Sequence, residues 1–215
     1  MKGFLIIDKP SGWTSHDVVA KMRGLLKERK IGHLGTLDPL ATGVLVLAVG
    51  REATKKISEY MKLEKEYEVE MELGKVSDTY DVDGKVEIAD FDLKTLQRND
   101  IVRAMEGFWG DTMQIPPAFS AKKINGKRAY SLARAGIPVE LKAVPVRMEG
   151  SDIQINIPVV KFKVKVSSGT YVRSLVHDIG QKLGCGAVVT ALRRTQVGDF
   201  MIKNAQKIED FRPKV

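Results

Sequence analysis

Residues Gly32-His33-Leu34-Gly35-Thr36-Leu37-Asp38-Pro39-Leu40-Ala41-Thr42-Gly43 run directly into Val44-Leu45-Val46-Leu47-Ala48-Val49. No other stretch of the chain limits its fold so tightly. The second segment is an unbroken apolar run of the length and composition of a central, buried strand. The first is built against helix. Gly32, Gly35 and Gly43 admit backbone angles or close approaches that a Cβ would block. Pro39 holds its own φ and biases Asp38 out of the helical region. The chain must therefore enter a buried strand through a loop of fixed shape that carries one carboxylate, Asp38. Two readings fit that spacing. Asp38 caps a turn, as Asp before Pro often does, or it is a reactive group displayed by a rigid scaffold.

The remaining periodicities set the fold class. Gly3–Asp8 reads as a strand and Thr14–Leu26 as a helix capped by Thr14 or Ser15. Tyr67, Val69, Met71 and Leu73 alternate with Glu68, Glu70 and Glu72, a half-exposed strand over Glu66–Leu73. Val159–Val166 alternates in the same way, with Lys161, Lys163 and Lys165 on its polar face. Glu52–Met61, Leu93–Glu106 and Tyr171–Leu183 read as helices, and the region of Ala187–Leu192 as a strand. Strands and helices mix without strict alternation, which predicts an α+β domain with a mainly antiparallel sheet flanked by helices. The expected organisation is a single domain over residues 1–215.

Charge narrows the partner. With 35 Lys and Arg against 27 Asp and Glu, the formal net charge is +8, which favours a polyanion, nucleic acid above membrane. No apolar run approaches the roughly 18 residues that span a bilayer. The amino terminus reads as a strand, not a secretion signal. One cysteine, Cys185, excludes an internal disulfide and suits a reducing cytoplasm. The three histidines and Cys185 lack metal-ligand spacing. Thr79, Asp81, Asp83, Gly84 and Glu87 approximate a calcium loop, but its first and twelfth positions hold the wrong residues and its flanks read as strands. No metal is expected. Lys122, Lys123, Lys127, Arg128 and Arg134 crowd a segment without acidic residues around an Asn125-Gly126 turn. That segment is either an ordinary solvated hairpin and helix or an excursion along phosphates.

Taken together, the motifs resemble the TruB family of tRNA pseudouridine synthases. The Asp38 loop resembles the family's catalytic motif, and Leu5-Ile6-Ile7-Asp8-Lys9-Pro10-Ser11-Gly12 its amino-terminal one. Lys65-Glu66-Tyr67-Glu68-Val69, Leu73-Gly74 and Asp78-Thr79-Tyr80-Asp81-Val82-Asp83-Gly84 follow in family order. Ile115-Pro116-Pro117, Ser120-Ala121-Lys122-Lys123, Gly169-Thr170-Tyr171-Val172-Arg173-Ser174-Leu175 and Leu192-Arg193-Arg194 complete the series. The resemblance implies a pseudouridine synthase fold with an RNA-gripping thumb inserted at about residues 120–150. It also implies a monomer that needs no protein partner. Bacterial members usually continue into a PUA-like RNA-binding module, for which the residues after Gly198 are too few, so a short form without it is expected.

The resemblance also implies the chemistry. Uridine's N1–C1′ bond is broken and remade from C5, which requires neither cofactor nor metal. As in a glycosidase, a carboxylate is needed beside the anomeric carbon, and the resemblance assigns that place to Asp38. Asp38 would form a covalent adduct or assist loss of the C2′ proton, and the sequence leaves both open. Arg173 is implied as its cation, with Asp81 sharing the guanidinium, and Tyr67 as the residue against the target base. His33 fills the space left by the flipped nucleotide, Leu192 walls the pocket, and Arg193 and Arg194 meet phosphate. Lys122, Lys123, Lys127 and Arg128 belong to the thumb. Lys9, Pro10, Gly35 and Pro39 support the catalytic loop. The substrate implied is the T-stem-loop of tRNA at position 55. Two alternatives share these residues, an RNA-guided enzyme of the dyskerin type and a tRNA-folding chaperone with secondary catalysis.

Overall fold

The structure, a computed structural model, describes residues 2–124 and 126–211. In chain order its elements begin with β1 (Gly3–Lys9), α1 (Ser15–Leu26), β2 (Ile31–His33), β3 (Thr42–Val49), α2 (Arg51–Lys55), α3 (Ile57–Tyr60) and β4 (Lys65–Leu73). They continue with β5 (Lys75–Ser77), β6 (Val86–Ile88), α4 (Arg98–Glu106), β7 (Gly110–Gln114), β8 (Lys123–Ile124), β9 (Lys127–Arg128) and α5 (Ala129–Arg134). The last are β10 (Val144–Asn156), β11 (Val159–Val166), α6 (Val172–Leu183), β12 (Ala187–Val197) and β13 (Phe200–Met201). The chain divides into two compact units, residues 1–68 with 191–215 and residues 69–190. The divisions fall inside β4 and β12. Among the described residues no helix is long and apolar enough to cross a membrane.

In the first unit β3 is the centre, as its apolar run requires. β1 lies antiparallel along its whole length, Gly3 opposite Val49 and Lys9 opposite Gly43. β2 pairs antiparallel with its far end, and β12 joins its start in parallel, Arg193 opposite Thr42. Seven of the eight β3 residues are buried. α1 packs on β2 and buries Ser15, Val18, Val19 and Met22, the i, i+3, i+4, i+7 stripe of an amphipathic helix. Thr14 is its cap. The Thr14 hydroxyl accepts from the Asp17 N–H at 3.1 Å, and the Asp17 carboxylate accepts from the Thr14 N–H at 2.8 Å.

In the second unit β11, β10 and β7 follow one another antiparallel, with β4 on the other side of β11. α4 packs on α6 and β10. The alternation read along β4 and β11 is present: Val69, Met71 and Leu73 are buried, as are Val160, Phe162, Val164 and Val166.

Three elements depart from the sequence reading. Glu52–Met61 forms two short helices, because the Lys56 N–H closes on Ala53 C=O at 3.1 Å and ends the first. Leu93–Glu106 is a 3-10 turn at Leu93–Thr95 followed by α4, because Asp92 caps the turn and a Gln97–Asp100 capping box starts a new helix. β10, thirteen residues long, alternates over Val144–Glu149 and again from Ile153, but the phase slips between the two halves. Only Val146 and Met148 along it are buried, and its register shifts between Ser151 and Gln154 around Asp152, whose φ is +53°.

Candidate active site

Two clusters hold the residues of interest, one in each unit. In the first, the loop from Leu34 to Ala41 is anchored by apolar side chains. Leu34, Leu37 and Ala41 are buried, Asp38 is half-buried, and Thr36 and Pro39 are exposed. The Ala41 N–H donates to Asp38 C=O at 3.1 Å, closing a β-turn with Asp38 first and Pro39 second, where proline's fixed φ fits.

Beyond the Leu34 N–H, which reaches Val46 C=O of β3 at 2.9 Å, the loop's backbone groups are bonded mostly by side chains. Lys9 is fully buried, and its Nζ donates to the carbonyls of Pro10 at 2.9 Å, Trp13 at 2.6 Å and Pro39 at 3.2 Å. The Gly12 N–H also reaches Pro39 C=O, at 2.9 Å, and the Ser11 hydroxyl donates to Leu40 C=O at 3.2 Å. From α1 the Ser15 hydroxyl accepts from the Leu37 N–H at 2.8 Å and donates to Leu37 C=O at 3.1 Å. From β12, Arg194 donates to Gly35 C=O at 3.1 Å, Thr36 C=O at 3.2 Å and Val44 C=O at 2.7 Å. Gly43 makes room for β12, because a Cβ there would stand 2.2 Å from the Arg194 carbonyl oxygen.

Around this loop, His33 accepts the Gly35 N–H on Nδ1 at 3.4 Å. Burial and the nearby Arg194 charge hold its pKa below the ordinary value, so the imidazole is neutral at neutral pH. Lys65 is buried and donates to Met61 and Leu63 carbonyls at 2.9 and 2.5 Å. Burial first, and Arg194 second, press its pKa down to about 8. Tyr67 and Leu192 are buried on β4 and β12. Arg193 forks onto Asp8, with Nη1 and Nη2 at 3.1 and 2.8 Å from its two carboxylate oxygens, and Nη1 also meets Thr42 Oγ1 at 3.3 Å. Arg194, expected at phosphate, is instead 1% exposed, and its three bonds go to backbone carbonyls.

In the second unit Arg173 stands in the first turn of α6, buried. Its Nη1 donates to Thr79 C=O at 2.6 Å, its Nη2 to Phe119 C=O at 3.0 Å, and its Nε lies 3.5 Å from Asp81 Oδ2. Asp81 accepts in addition from the Thr79 hydroxyl at 2.5 Å and the Asp83 N–H at 3.1 Å. Arg173 and Asp81 thus form a buried ion pair. The segment after β7 is fastened to the same helix. Gln114 bonds the Tyr171 backbone at both ends of its amide, and the Ser174 hydroxyl reaches Ile115 C=O at 2.9 Å. Tyr80, at φ +66°, stacks on His177 with centroids 3.8 Å apart.

The basic segment forms the β8–β9 hairpin, with Lys123 opposite Arg128 and Ile124 opposite Lys127, and then α5. Asn125, part of the expected turn, lies outside the described residues. Lys123, Lys127 and Arg128 are exposed and Lys122 is half-buried, while Arg134 lies over the Tyr130 ring at 5.7 Å. Among the described residues no group of three or more His, Cys, Asp or Glu is placed to hold a metal ion.

Sequence reasoning missed Ser15 and Lys65 as parts of the loop's surroundings, and it mislocated Arg194. Each left a trace. Ser15 lies on the apolar stripe of α1, and Arg194 follows Leu192 on the buried face of β12. A polar residue in line with buried apolar ones has backbone to bond.

Comparison with known proteins then decides the family. The model described as TruB family pseudouridylate synthase (N terminal domain) matches residues 23–172, and that of the tRNA pseudouridylate synthase B C-terminal domain matches residues 173–214. The chain belongs to the TruB family. A tRNA pseudouridine synthase B of Clostridium acetobutylicum is 46% identical over 211 residues, covering 98% of this chain and 72% of the relative. One of Chloroherpeton thalassium is 46% identical over 219 residues, 99% of this chain and 90% of the relative. Among solved structures, a chain of a Cbf5-Nop10-Gar1 complex matches with a TM-score of 0.74 at 31% identity over 97% of this chain. This TruB-family chain spans 53% of that longer one.

Proposed function

We propose that this TruB-family member isomerises uridine to pseudouridine at position 55 in the T-loop of tRNA, with Asp38 acting at the sugar. The observation that carries the reading is a single carboxylate at the head of a proline turn whose backbone is bonded from α1 and β12. Such a group is held ready for one task rather than left to solvent. The curated relatives are named for tRNA, which supports a tRNA substrate over a guide RNA.

In the reaction N1–C1′ breaks, C5–C1′ forms, the C5 hydrogen leaves as a proton and N1 gains one. No electron is transferred and no group is lost. Asp38 stabilises or captures the sugar while the base turns over. Arg173 supplies the counter-charge, a planar guanidinium already held by Thr79, Phe119 and Asp81. Tyr67 meets the flipped base and relays the C5 proton. The neutral imidazole of His33 suits a steric role under the extruded nucleotide better than an acid–base one. The exposed cations of the β8–β9 hairpin follow the RNA backbone as a thumb. We place the enzyme in the cytoplasm, as a monomer.

Unmodified tRNA tritiated at uridine C5 tests the reading. Wild type is expected to release tritium to water, and Asp38→Asn to release none. A wild type that binds tRNA and releases none would overturn it in favour of the folding chaperone.

A further inference from the structure

We propose that Ser15 and Arg194 are positioning residues for Asp38, holding the peptide planes on its amino-terminal side so that the carboxylate keeps one orientation through turnover. The inference rests on the role given to Asp38 above and names what enforces it.

The peptide planes of the loop can be followed one by one. Between Gly35 and Thr36 the carbonyl is taken by Arg194 at 3.1 Å. Between Thr36 and Leu37 the plane is gripped at both ends, its carbonyl by Arg194 at 3.2 Å and its N–H by Ser15 at 2.8 Å. Between Leu37 and Asp38 the carbonyl is taken by Ser15 again, at 3.1 Å. One hydroxyl oxygen thus bonds the planes on either side of the Leu37 Cα. It restrains φ and ψ of the residue that carries Asp38's own amide. After Asp38 the planes are held in turn by the Ala41 N–H, by Lys9 with Gly12, and by Ser11.

Neither residue is at the surface. Ser15 is 2% and Arg194 1% exposed; both Ser15 bonds and the Arg194–Val44 bond are buried, and those to Gly35 and Thr36 are partly so. The Arg194 Nε also bonds Val44 C=O at 2.7 Å, which ties the loop's first half to the strand that follows it. A loop rich in Gly and Pro has no ladder of its own, and these side chains replace one. Both act through the backbone, since their bonds go to carbonyls and an N–H.

Ser15→Ala removes both Leu37 bonds without adding bulk. Arg194→Lys keeps the charge but replaces three separate nitrogens, each on its own carbonyl, by one ammonium that cannot reproduce the planar fork. Single-turnover tritium release at saturating tRNA, tRNA affinity, and amide hydrogen exchange at Leu37 and Ala41 would be measured on each. The expectation for Ser15→Ala is affinity within about twofold of wild type and a rate lower by about 10- to 100-fold, since misplacing a reacting group by about 1 Å costs on that order. Its loop amides exchange faster while those of β3 do not. For Arg194→Lys the rate loss is larger, again with affinity kept. A near-wild-type rate with loosened loop amides overturns the proposal, as does a loss confined to affinity. Unchanged exchange at Leu37 and Ala41 also overturns it. If wild type itself releases no tritium, the isomerase reading fails, and exchange in Ser15→Ala still judges the clamp separately.

Discussion

Arg173 and Arg194 are both buried guanidiniums, one in each compact unit, and their charges are met in different ways. Arg173 bonds two carbonyls and faces a carboxylate, Asp81, that is itself buried and hydrogen-bonded. Arg194 bonds three carbonyls and has no carboxylate partner among the described residues. Its field falls on other basic groups instead, lowering the pKa values of Lys65 and His33 in addition to burial. Carbonyl dipoles are thus enough to retain a buried guanidinium when it has several of them, but its neighbours give up proton affinity. The arrangement suits a loop that needs backbone held and one carboxylate kept for substrate, because a second carboxylate there would duplicate Asp38.

The sharpest way to break this comparison is Arg173→Met. It leaves Asp81 buried opposite no cation, and a buried pair broken in this way costs about 3–5 kcal/mol. Urea unfolding would read the loss, and a value below that of Arg194→Met would show that the two sites had been ranked wrongly. Arg194→Met should cost less, about 2 kcal/mol, because carbonyls lose partners but no opposite charge is stranded.

Lys65 offers the test of the field. Its pKa is lower in the folded than in the unfolded chain, so its charged form disfavours the fold fully below pH 8. The penalty fades as pH rises from about 8 toward the ordinary lysine value of 10.5. The stability of wild type relative to Lys65→Met should therefore rise across that window. In an Arg194→Met background the window should move upward and narrow, and a difference independent of pH would remove the coupling. The smallest effect is expected at Arg193, whose fork with Asp8 is partly exposed. Arg193→Ala should cost about 1 kcal/mol or less and lose most of that in high salt.

Legibility followed the range of the interactions. The α1 cap, the buried run of β3 and the alternations of β4 and β11 are properties of neighbouring residues, and they were readable as such. The breaks at Lys56 and Leu96 were not, because short-range caps there compete with helical periodicity. β10 escaped notice because its outer half is solvated and bulged. Arg194 was read as a surface residue for a physical reason. A basic residue is normally exposed, and only a cage of carbonyls brought from residues 35, 36 and 44 makes burial tolerable.

The sequence by itself determined the family and the fold class, together with the non-helical loop that carries Asp38. These are written in local patterns of Gly, Pro and apolar residues and in motifs that keep their order. The tertiary structure alone decided which side chains hold that loop. Ser15 meets Leu37 across 22 positions and Arg194 meets Thr36 across 158, and no local pattern encodes such a meeting. Loop backbone that cannot bond itself must be bonded by whatever the fold brings near, and that is settled only when the core has packed.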